Sequence, residues 1–505
     1  MTSQAAATTP PAVAQGALVI VGAGIAGLNA LYAASRYLKP TDKVFLIDRH
    51  ARAGGMWTET YDYVRLHQPH PMFTAGDIPW TLGQAPAHLA TRQQVLEHFA
   101  HCLAELRQRV ELVEYYGYDY LGHEEVQEDG AWCVHVQIAP LAVGGRPLRI
   151  RADHCVKALG FRIPKNDPLS FSSTQVVSLA PQDAALFGPS LAPVYVIGGG
   201  KTGMDTAHTL LSRCPAREVH LVVGQGTLFT NRNKAFPTGL ARWWGGNTTL
   251  AMFLDLALRF DGDNEADVRD HFRARYALSL GANYQHFVLG LLSEEENAFI
   301  ARGIAGTLED YVEDVADIDG VPTLRLRSGA TRAVAPGTVF VNCTGYVMRE
   351  AHDYEPYRST HGCVVSVQPT SAIHILTTFA AYFLVHLLYL GKLDSLPLYE
   401  MDQESLFRIN KVVAPYAAMV QILLNTTLIV NATPFSVIDH CGLDFDRWYP
   451  LPRRLLDALR LKRNSRAYIA HFQRCLDRLA ARHGMRCGVL AEHAAPNSGM
   501  ETATR

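Results

Sequence analysis

The stretch that decides the fold is VYVIGGGKTGMDTAH, residues 194–208, where an apolar run leads into three glycines. Its Gly-Lys-Thr triplet fits the end of a phosphate loop, but that motif needs another glycine five residues before Gly200, where Tyr195 stands. Gly198, Gly200 and Gly203 instead complete G-x-G-x-x-G between a predicted strand and a predicted helix. The stretch therefore predicts a Rossmann-like turn that binds a dinucleotide.

The same pattern occurs near the start of the chain, in ALVIVGAGIAGLNALYAASRYL at 17–38. A predicted strand leads into Gly22, Gly24 and Gly27, and a small-residue helix follows. The next predicted strand, KVFLID, ends in Asp48, which lies 26 residues after Gly22. A carboxylate at this place accepts hydrogen bonds from the ribose hydroxyls of an adenosine, so the first turn predicts an FAD site.

The second turn lacks that carboxylate, because the equivalent position is Gly224. Arg232 and Lys234 follow within a few residues, and cations without an acid suit a ribose that carries a 2′-phosphate. We therefore expect NADPH at this turn; a solvated surface loop is the alternative for both cations. Lys201 and Thr202 begin the helix after the turn, where Lys201 is expected to add charge beside the pyrophosphate.

Composition narrows the class of protein. The 505 residues are 48% hydrophobic and carry a net charge of −2, which gives no electrostatic case for nucleic acid. Residues 1–16 lack the features of a signal peptide, and the apolar stretch 379–391 is shorter than the ~20 residues of a membrane-spanning helix. These features predict a cytoplasmic protein with no transmembrane segment. They do not determine its oligomeric state, and a homo-oligomer is one of the alternatives.

Two other chemistries find no support in the sequence. The nine cysteines are scattered and form no C-x-x-C pair, so electron transfer from a flavin to a closely spaced disulfide is not expected. His67 and His70 lack the helical spacing and the acidic partner of a zinc site, and no metal is predicted.

A resemblance to a known family rests on two segments. In RHARAGGMWTETYDYVRLHQPHPMF, residues 49–73, Gly54, Gly55 and Trp57 resemble the FAD domain of flavin-containing, NADPH-dependent monooxygenases. Cys343-Thr344-Gly345-Tyr346 resembles the Ala-Thr-Gly-Tyr motif of N-hydroxylating monooxygenases, in a segment similar to those that return the chain to the flavin. The F-x-G-x-x-x-H linker of flavin-containing and Baeyer–Villiger monooxygenases is missing, which weakens a ketone-oxidising function.

The resemblance implies a class B flavin monooxygenase. NADPH would reduce the flavin, dioxygen would form a flavin 4a-hydroperoxide, and a small nucleophilic substrate would be oxygenated, an amine nitrogen being favoured. Gln68 and His67 are the candidate catalytic residues: the glutamine to hydrogen-bond the flavin or peroxide, the histidine to exchange protons near neutral pH. An ordinary packing role is the alternative for both. An NAD(P)H-dependent flavin oxidoreductase that passes electrons to a quinone or a protein, and a non-catalytic nucleotide-binding member, remain alternative functions.

The predicted fold class is α/β, with two Rossmann-like domains and a helical C-terminal extension. The part of this extension at 453–486 is basic, with ten Lys/Arg and only two Asp/Glu. A solvated helix face is the default interpretation. The alternative is a surface that docks on an anionic membrane or an acidic partner. The predicted domains are an FAD domain at 17–190 and 335–397, an NADPH domain at 191–334 with a helical insertion at 236–312, a helical region at 398–490, and flexible tails at 1–16 and 491–505.

Overall fold

The first sheet carries the first glycine turn. The computed structural model describes residues 13–159, 166–344 and 352–490. The strands run in the order β3-β2-β1-β6-β5-β4, with β18 beside β6, and β1 is parallel to both β2 and β6. Their bounds are β1 Val13–Val21, β2 Lys43–Asp48, β3 Glu111–Tyr116, β4 Tyr118–Glu128, β5 Ala131–Pro140, β6 Leu148–Lys157 and β18 Val364–Ser366.

Three helices cover this sheet: α1 Ile25–Ala34, α2 Arg92–Leu106 and α9 Thr377–Tyr389. Small residues in α1 let α9 pack closely along it, and both helices are buried over most of their length. The Tyr37 hydroxyl hydrogen-bonds His386 Nδ1 at 2.7 Å, and the rings of Tyr32 and Tyr382 stack with centroids 6.4 Å apart. The apolar stretch at 379–391, most of which forms α9, is thus part of the core around the first turn.

The second sheet is wholly parallel, in the order β13-β9-β8-β17-β7. Its members are β7 Val177–Leu179, β8 Val194–Ile197, β9 Val219–Val222, β13 Gly306–Leu308 and β17 Val339–Asn342, with α3 Lys201–Arg213 and α8 Glu294–Gly303 packed together beside them. Strands β7 and β17 lie outside the predicted limits of the NADPH domain, 191 and 334. The second sheet therefore extends beyond the predicted NADPH domain at both ends. The reason is that β17 inserts between β8 and β7 instead of returning to the first sheet.

The region predicted as a helical insertion is mixed. Residues 286–292 form a strand where helical spacing was expected, because the apolar run pairs with β10 and the capping box of Ser293 and Glu296 starts the helix only at Glu294. The elements from just before this region to the hairpins after it are β10 Thr227–Asn231, α4 Arg232–Ala235, α5 Ala241–Trp244, α6 Thr249–Arg259, α7 Glu265–Arg275, β11 Ala277–Leu278, β12 His286–Leu292, β14 Val312–Ile318, β15 Val321–Leu326 and β16 Thr331–Ala333.

The C-terminal region is largely helical, as predicted, and shares one hydrophobic core with the second sheet. Its central helix, α11, is buried along most of its length against α6 and α14. Among the described residues, no helix combines the length and apolar character needed to span a bilayer. The elements are α10 Gln403–Ile409, α11 Ala414–Ala432, α12 Phe435–Asp439, α13 Leu451–Arg463, α14 Ser465–His483, β19 Tyr399–Met401 and β20 Cys487–Val489.

Candidate functional site

The first glycine turn is as tight as the sequence predicts. Gly22 has φ +106°, and a Cβ on it would lie 2.5 Å from the carbonyl oxygen of Ala158. A Cβ on Gly27 would lie 1.7 Å from the carbonyl oxygen of Gly22. Gly24 begins α1 with no side-chain cap, so the first amides of the helix are left to an anionic ligand. This arrangement fits the pyrophosphate of FAD.

The segment with the predicted family motif packs directly on this turn. The Gly54 amide donates to the Ala23 carbonyl at 3.0 Å. Gly55 has φ +52°, and a Cβ on it would lie 2.9 Å from the Cα of Gly24. Trp57 is buried in the core of the first domain. The two glycine-rich segments therefore touch backbone to backbone, as only residues without a side chain allow.

Asp48 ends β2 beside the same turn and is 7% exposed. One carboxylate oxygen accepts the Ala23 amide at 2.6 Å, and the other accepts the amide and the Nδ1 of His50, both at 2.8 Å. A carboxylate has about four lone-pair sites, so capacity remains for ribose hydroxyls. The arrangement fits the predicted adenosine end of FAD, and it adds His50, which the sequence analysis did not single out.

The second turn repeats this geometry. Gly198 has φ +119°, and a Cβ on it would lie 2.3 Å from the carbonyl oxygen of Cys343. A Cβ on Gly203 would lie 2.0 Å from the carbonyl oxygen of Gly198. Gly200 begins α3 with the same backbone angles as Gly24, φ −80° and ψ −175°, and no described atom lies within 4 Å of a Cβ built there. This open amide-lined space fits a second pyrophosphate.

Thr344 lies at the second turn. A Cβ on Gly198 would come within 3.0 Å of the Thr344 amide nitrogen, and the equivalent neighbour of Gly22 is the amide nitrogen of Leu159. Thr344 follows β17 of the second sheet and lies beside the second turn; that this segment returns the chain to the flavin stays a prediction. Gly345 lies outside the described residues.

Lys201 is the first residue of α3, and its ammonium forms an ion pair with Asp205 one helical turn later. Thr202 is buried, and its carbonyl accepts the hydroxyl of Thr206 at 2.8 Å. Lys201 thus lies at the turn as predicted, but its charge is shared with a carboxylate that the sequence analysis overlooked. The i, i+4 spacing of Lys201 and Asp205 on a predicted helix is the signal that identifies the pair.

One segment, residues 54–72, contacts both domains. From Gly54 and Gly55 at the first turn it runs to Tyr61, whose hydroxyl donates to Asp205 at 3.0 Å. Tyr63 hydrogen-bonds Thr206 at 2.8 Å, also on α3. We call residues 54–72 the bridging segment, because it holds the helix of the second turn against the core of the first.

Arg92 fixes the start of this segment. Its guanidinium donates to the carbonyls of Trp57 at 2.8 Å and Thr58 at 2.6 Å, and pairs with Asp62 at 2.5 Å. Next to it, a cavity of about 530 Å³ opens between the segment and α3. Lys201 and Glu296 line this cavity, but no glycine of either turn does, so it adjoins the cofactor sites without containing them.

His67 does not behave as the sequence predicts. Burial lowers its pKa to about 3, and the charges of Lys201 and Arg232 act in the same direction. The Leu291 amide donates to His67 Nδ1 at 3.4 Å, which requires that nitrogen to be unprotonated. Proton exchange near neutral pH is therefore not supported, because the ring is neutral there. The sequence could not show this, since the amide that donates to His67 belongs to β12, more than 200 residues away.

Gln68 is buried, and its Oε1 has no hydrogen-bond partner among the described residues. A buried carbonyl oxygen without a donor is costly, by about 1–3 kcal/mol, unless a ligand supplies one. A flavin has a ring N–H of the required kind. Gln68, one of the two candidate catalytic residues, therefore has a free hydrogen-bond acceptor that fits a cofactor.

The two cations predicted to read the 2′-phosphate have separate protein partners. Arg232 pairs with Glu296 and donates to the carbonyl of His67 at 3.3 Å, whereas Lys234 donates to the carbonyl of Arg275 at 3.0 Å. Burial raises the pKa of Glu296, but Arg232 and Lys201 outweigh it and hold that pKa below its usual range.

A different cation lies near the position of the missing acid, with the ring of Tyr311 as their shared neighbour. Gly224 has φ +58°, and a Cβ on it would lie 2.6 Å from the ring of Tyr311. The guanidinium of Arg327 lies over that ring, 4.3 Å from its centroid. Sequence spacing does not identify Arg327 as a neighbour of this turn. The β14–β15 hairpin reverses the chain and brings Arg327 back toward the end of β9.

Comparison with known families gives one match. Residues 16–239 match the model of the family described as pyridine nucleotide-disulphide oxidoreductase. This range holds both glycine turns and Asp48. The predictions of an α/β fold with two Rossmann-like domains, and of an oxidoreductase that uses FAD and NADP(H), are thereby confirmed. No curated protein matches the chain in sequence.

Several solved structures are similar to the chain. The bacillithiol disulfide reductase of Staphylococcus aureus is 11% identical, with a TM-score of 0.44, over 76% of this chain and 99% of that one. A flavin-containing monooxygenase from Stenotrophomonas maltophilia is 15% identical, with a TM-score of 0.44, over 75% and 99%. The ornithine hydroxylase of Pseudomonas aeruginosa, in its reduced form, is 12% identical, with a TM-score of 0.45, over 76% and 98%.

Proposed function

We propose that the chain is an NADPH-dependent flavoprotein monooxygenase that adds one oxygen atom to a small nucleophilic substrate, at an amine nitrogen. The observation that carries the proposal is the bridging segment. It contacts both glycine turns or their helices and holds Gln68, whose buried amide oxygen has no partner among the described residues. Bound FAD and NADPH would supply hydride transfer and oxygen activation in this region.

The chain's own residues would position the two cofactors and keep water out of the site between them. Tyr61 and Tyr63 hold α3 against the first domain, so that the two cofactor sites keep a fixed relation. Gln68 would orient the flavin ring through its amide. The neutral, partly buried His67 adds no charge and fits a site that keeps water out.

The cysteines and the family motif favour oxygen chemistry over disulfide reduction. All nine cysteines are free, and seven of them are buried. A dithiol exchange needs two closely spaced, accessible sulfurs, and no C-x-x-C pair offers them. The choice of nitrogen as the oxygenated atom rests on the resemblance of Cys343-Thr344-Gly345-Tyr346 to the N-hydroxylating enzymes.

The test is to reduce the purified yellow protein with NADPH, admit oxygen, and follow the return of oxidised-flavin absorbance. A delay before that return, with a one-oxygen mass gain in an amine or amino acid, is the expected result. Immediate reoxidation with stoichiometric hydrogen peroxide for every amine, amino acid and sulfide tested would overturn the proposal. Rapid quinone reduction without oxygen incorporation would instead identify the alternative flavin oxidoreductase.

A variant of Gln68 tests whether the delay in flavin reoxidation depends on this site. Gln68→Ala should shorten the delay and raise the share of NADPH lost as hydrogen peroxide, because the flavin loses an orienting acceptor. Gln93→Ala removes an exposed glutamine of α2 and should leave both quantities unchanged.

A further inference from the structure

Helix α13 presents its apolar residues to solvent. Surface helices normally bury their apolar stripe, but here Leu451, Leu455, Leu456 and Leu459 are all exposed, Leu456 by 68%. At roughly 100° per residue these four leucines span an arc of about 140°. Leu461, on the opposite side, is the buried leucine of the helix. The exposed arc is therefore not the face that holds α13 on the protein.

A second exposed apolar cluster adjoins it. Leu240, Trp243 and Trp244 at α5 are exposed, Trp244 by 77%. Arg453, in the first turn of α13, donates to the carbonyls of Gly245 at 2.5 Å and Gly246 at 2.9 Å, just after α5. This contact places the two clusters on neighbouring elements. We call them together the α5–α13 face: Leu240, Trp243, Trp244, Leu451, Leu455, Leu456 and Leu459.

Cations lie at one edge of this face, at and just beyond the C-terminal end of α13. Arg460, Lys462, Arg463 and Arg466 are exposed, and no ion pair joins them to an acid among the described residues. The nearby acids are directed inward: Asp457 accepts the Thr248 hydroxyl at 2.6 Å, and Asp444 pairs with Arg454 at 3.4 Å. The face is thus apolar with a positive rim.

We propose that the α5–α13 face docks on an anionic lipid membrane. Leucines in the acyl boundary, tryptophans at the headgroup level and Lys/Arg against anionic headgroups are the three elements of an interfacial site. A second copy of this chain is a poorer occupant, because a two-fold interface would set the positive rim against itself. The sequence favoured a solvated face here; the outward leucines, which sequence alone does not orient, change that interpretation.

The test is cosedimentation of the full-length, flavin-loaded protein with phosphatidylcholine vesicles, with and without phosphatidylserine. Binding should require phosphatidylserine and weaken as salt is raised. Arg460→Gln/Lys462→Gln/Arg463→Gln should weaken it about 100-fold, since each cation near the surface contributes roughly a factor of five. Leu456→Ser/Leu459→Ser should abolish it.

Matched controls come from elsewhere on the surface. Leu191→Ser removes an exposed leucine and Arg302→Gln an exposed cation, and neither should change vesicle binding. Circular dichroism and the flavin-to-protein ratio show whether each variant folds. A blue shift of tryptophan fluorescence on vesicles, lost in Trp243→Phe/Trp244→Phe, would place these two side chains in the lipid.

Three results would overturn the proposal. One is vesicle binding that Leu456→Ser/Leu459→Ser leaves intact. Another is a wild-type oligomer in light scattering that the same variant converts to a monomer, which would make the face a contact between copies. The third is binding to polyglutamate without binding to anionic vesicles, which would identify an acidic protein partner.

Discussion

The hydroxyl of Tyr61 donates a hydrogen bond to Asp205 across 144 residues of sequence and 3.0 Å of space. Asp205 also pairs with Lys201, so one carboxylate joins the bridging segment to the start of α3. Because Tyr61 lies in the segment packed on the first turn and Asp205 in the helix of the second, we expect their bond to help hold the two cofactor sites at a constant distance.

Breaking this bond should slow flavin reduction. Tyr61→Phe should lower the rate constant for reduction by NADPH several-fold, since a hydrogen bond to a charged group contributes about 1.5–3 kcal/mol. Stopped-flow measurement of Tyr61→Phe, Asp205→Asn and the double variant gives a thermodynamic cycle. Strictly additive effects would show that the two residues do not act together.

Asp48 should decide whether FAD stays bound. Asp48→Ala removes the acceptor of the Ala23 amide and of the ribose hydroxyls, and should weaken FAD binding by about 10- to 100-fold. The measurement is the flavin-to-protein ratio after gel filtration, with titration of FAD into the apoprotein. Asp129→Asn, at an exposed turn with positive φ that asparagine tolerates, is the control. An unchanged ratio in Asp48→Ala would contradict the assignment.

The glycines of the second turn should separate folding from cofactor binding. Gly200→Ala meets no described atom within 4 Å, so it should fold normally but raise KM for NADPH at least tenfold by blocking the pyrophosphate. Gly203→Ala would place a methyl group 2.0 Å from the Gly198 carbonyl and should lower the melting temperature. Equal melting temperatures, or an unchanged KM in Gly200→Ala, would contradict this division.

Acid should destabilise the protein through its buried histidines. The pKa of His67 is lowered from 6.5 to about 3, and burial lowers those of His98 and His374 to about 3 as well. Above pH 6.5 these rings are neutral in both folded and unfolded chains; as pH falls below 6.5 only the unfolded chain takes up protons, so stability is lost down toward pH 3. Each ring contributes up to ~1.4 kcal/mol per pH unit. His67→Gln should reduce the slope of unfolding free energy against pH, in urea titrations between pH 6 and 4, by about one proton; an unchanged slope would contradict the low pKa.

The cation that selects NADPH can be identified by comparing variants. Arg327→Ala should raise KM for NADPH about tenfold and leave KM for NADH unchanged, because Arg327 stacks on Tyr311, the neighbour of Gly224, where the second ribose is expected. Arg232→Ala and Lys234→Ala test the sequence-based prediction in the same assay. A rise in KM for NADPH alone in Arg232→Ala, and not in Arg327→Ala, would show that Arg232 binds the 2′-phosphate, as the sequence predicts.

The sequence predicts those parts of the site that local backbone geometry dictates. Both glycine turns follow from spacing alone, because only glycine tolerates the positive φ of Gly22 and Gly198 and the close approach at Gly27 and Gly203. The contact of Gly55 with Gly24 was anticipated only as a motif, and the structure gives its reason.

What the sequence could not predict depends on pairing between distant segments. The amide that donates to His67 comes from β12, and the place of Thr344 needs the insertion of β17 between β8 and β7. Arg327 reaches Gly224 only through a hairpin. In each case the deciding neighbour lies about 100 residues or more away, where periodicity and motif spacing carry no information.

The central place of β17 also constrains how the protein is made. A ribosome that has released β8 and β9 has produced only part of a sheet, and β7 has no partner until residues 339–342 emerge. Because domains tend to fold as units during synthesis, the nascent chain must carry an open sheet edge and an unfinished nucleotide site through about 140 residues of elongation. Chaperone binding to the nascent chain should therefore persist over this interval and end once β17 closes the sheet.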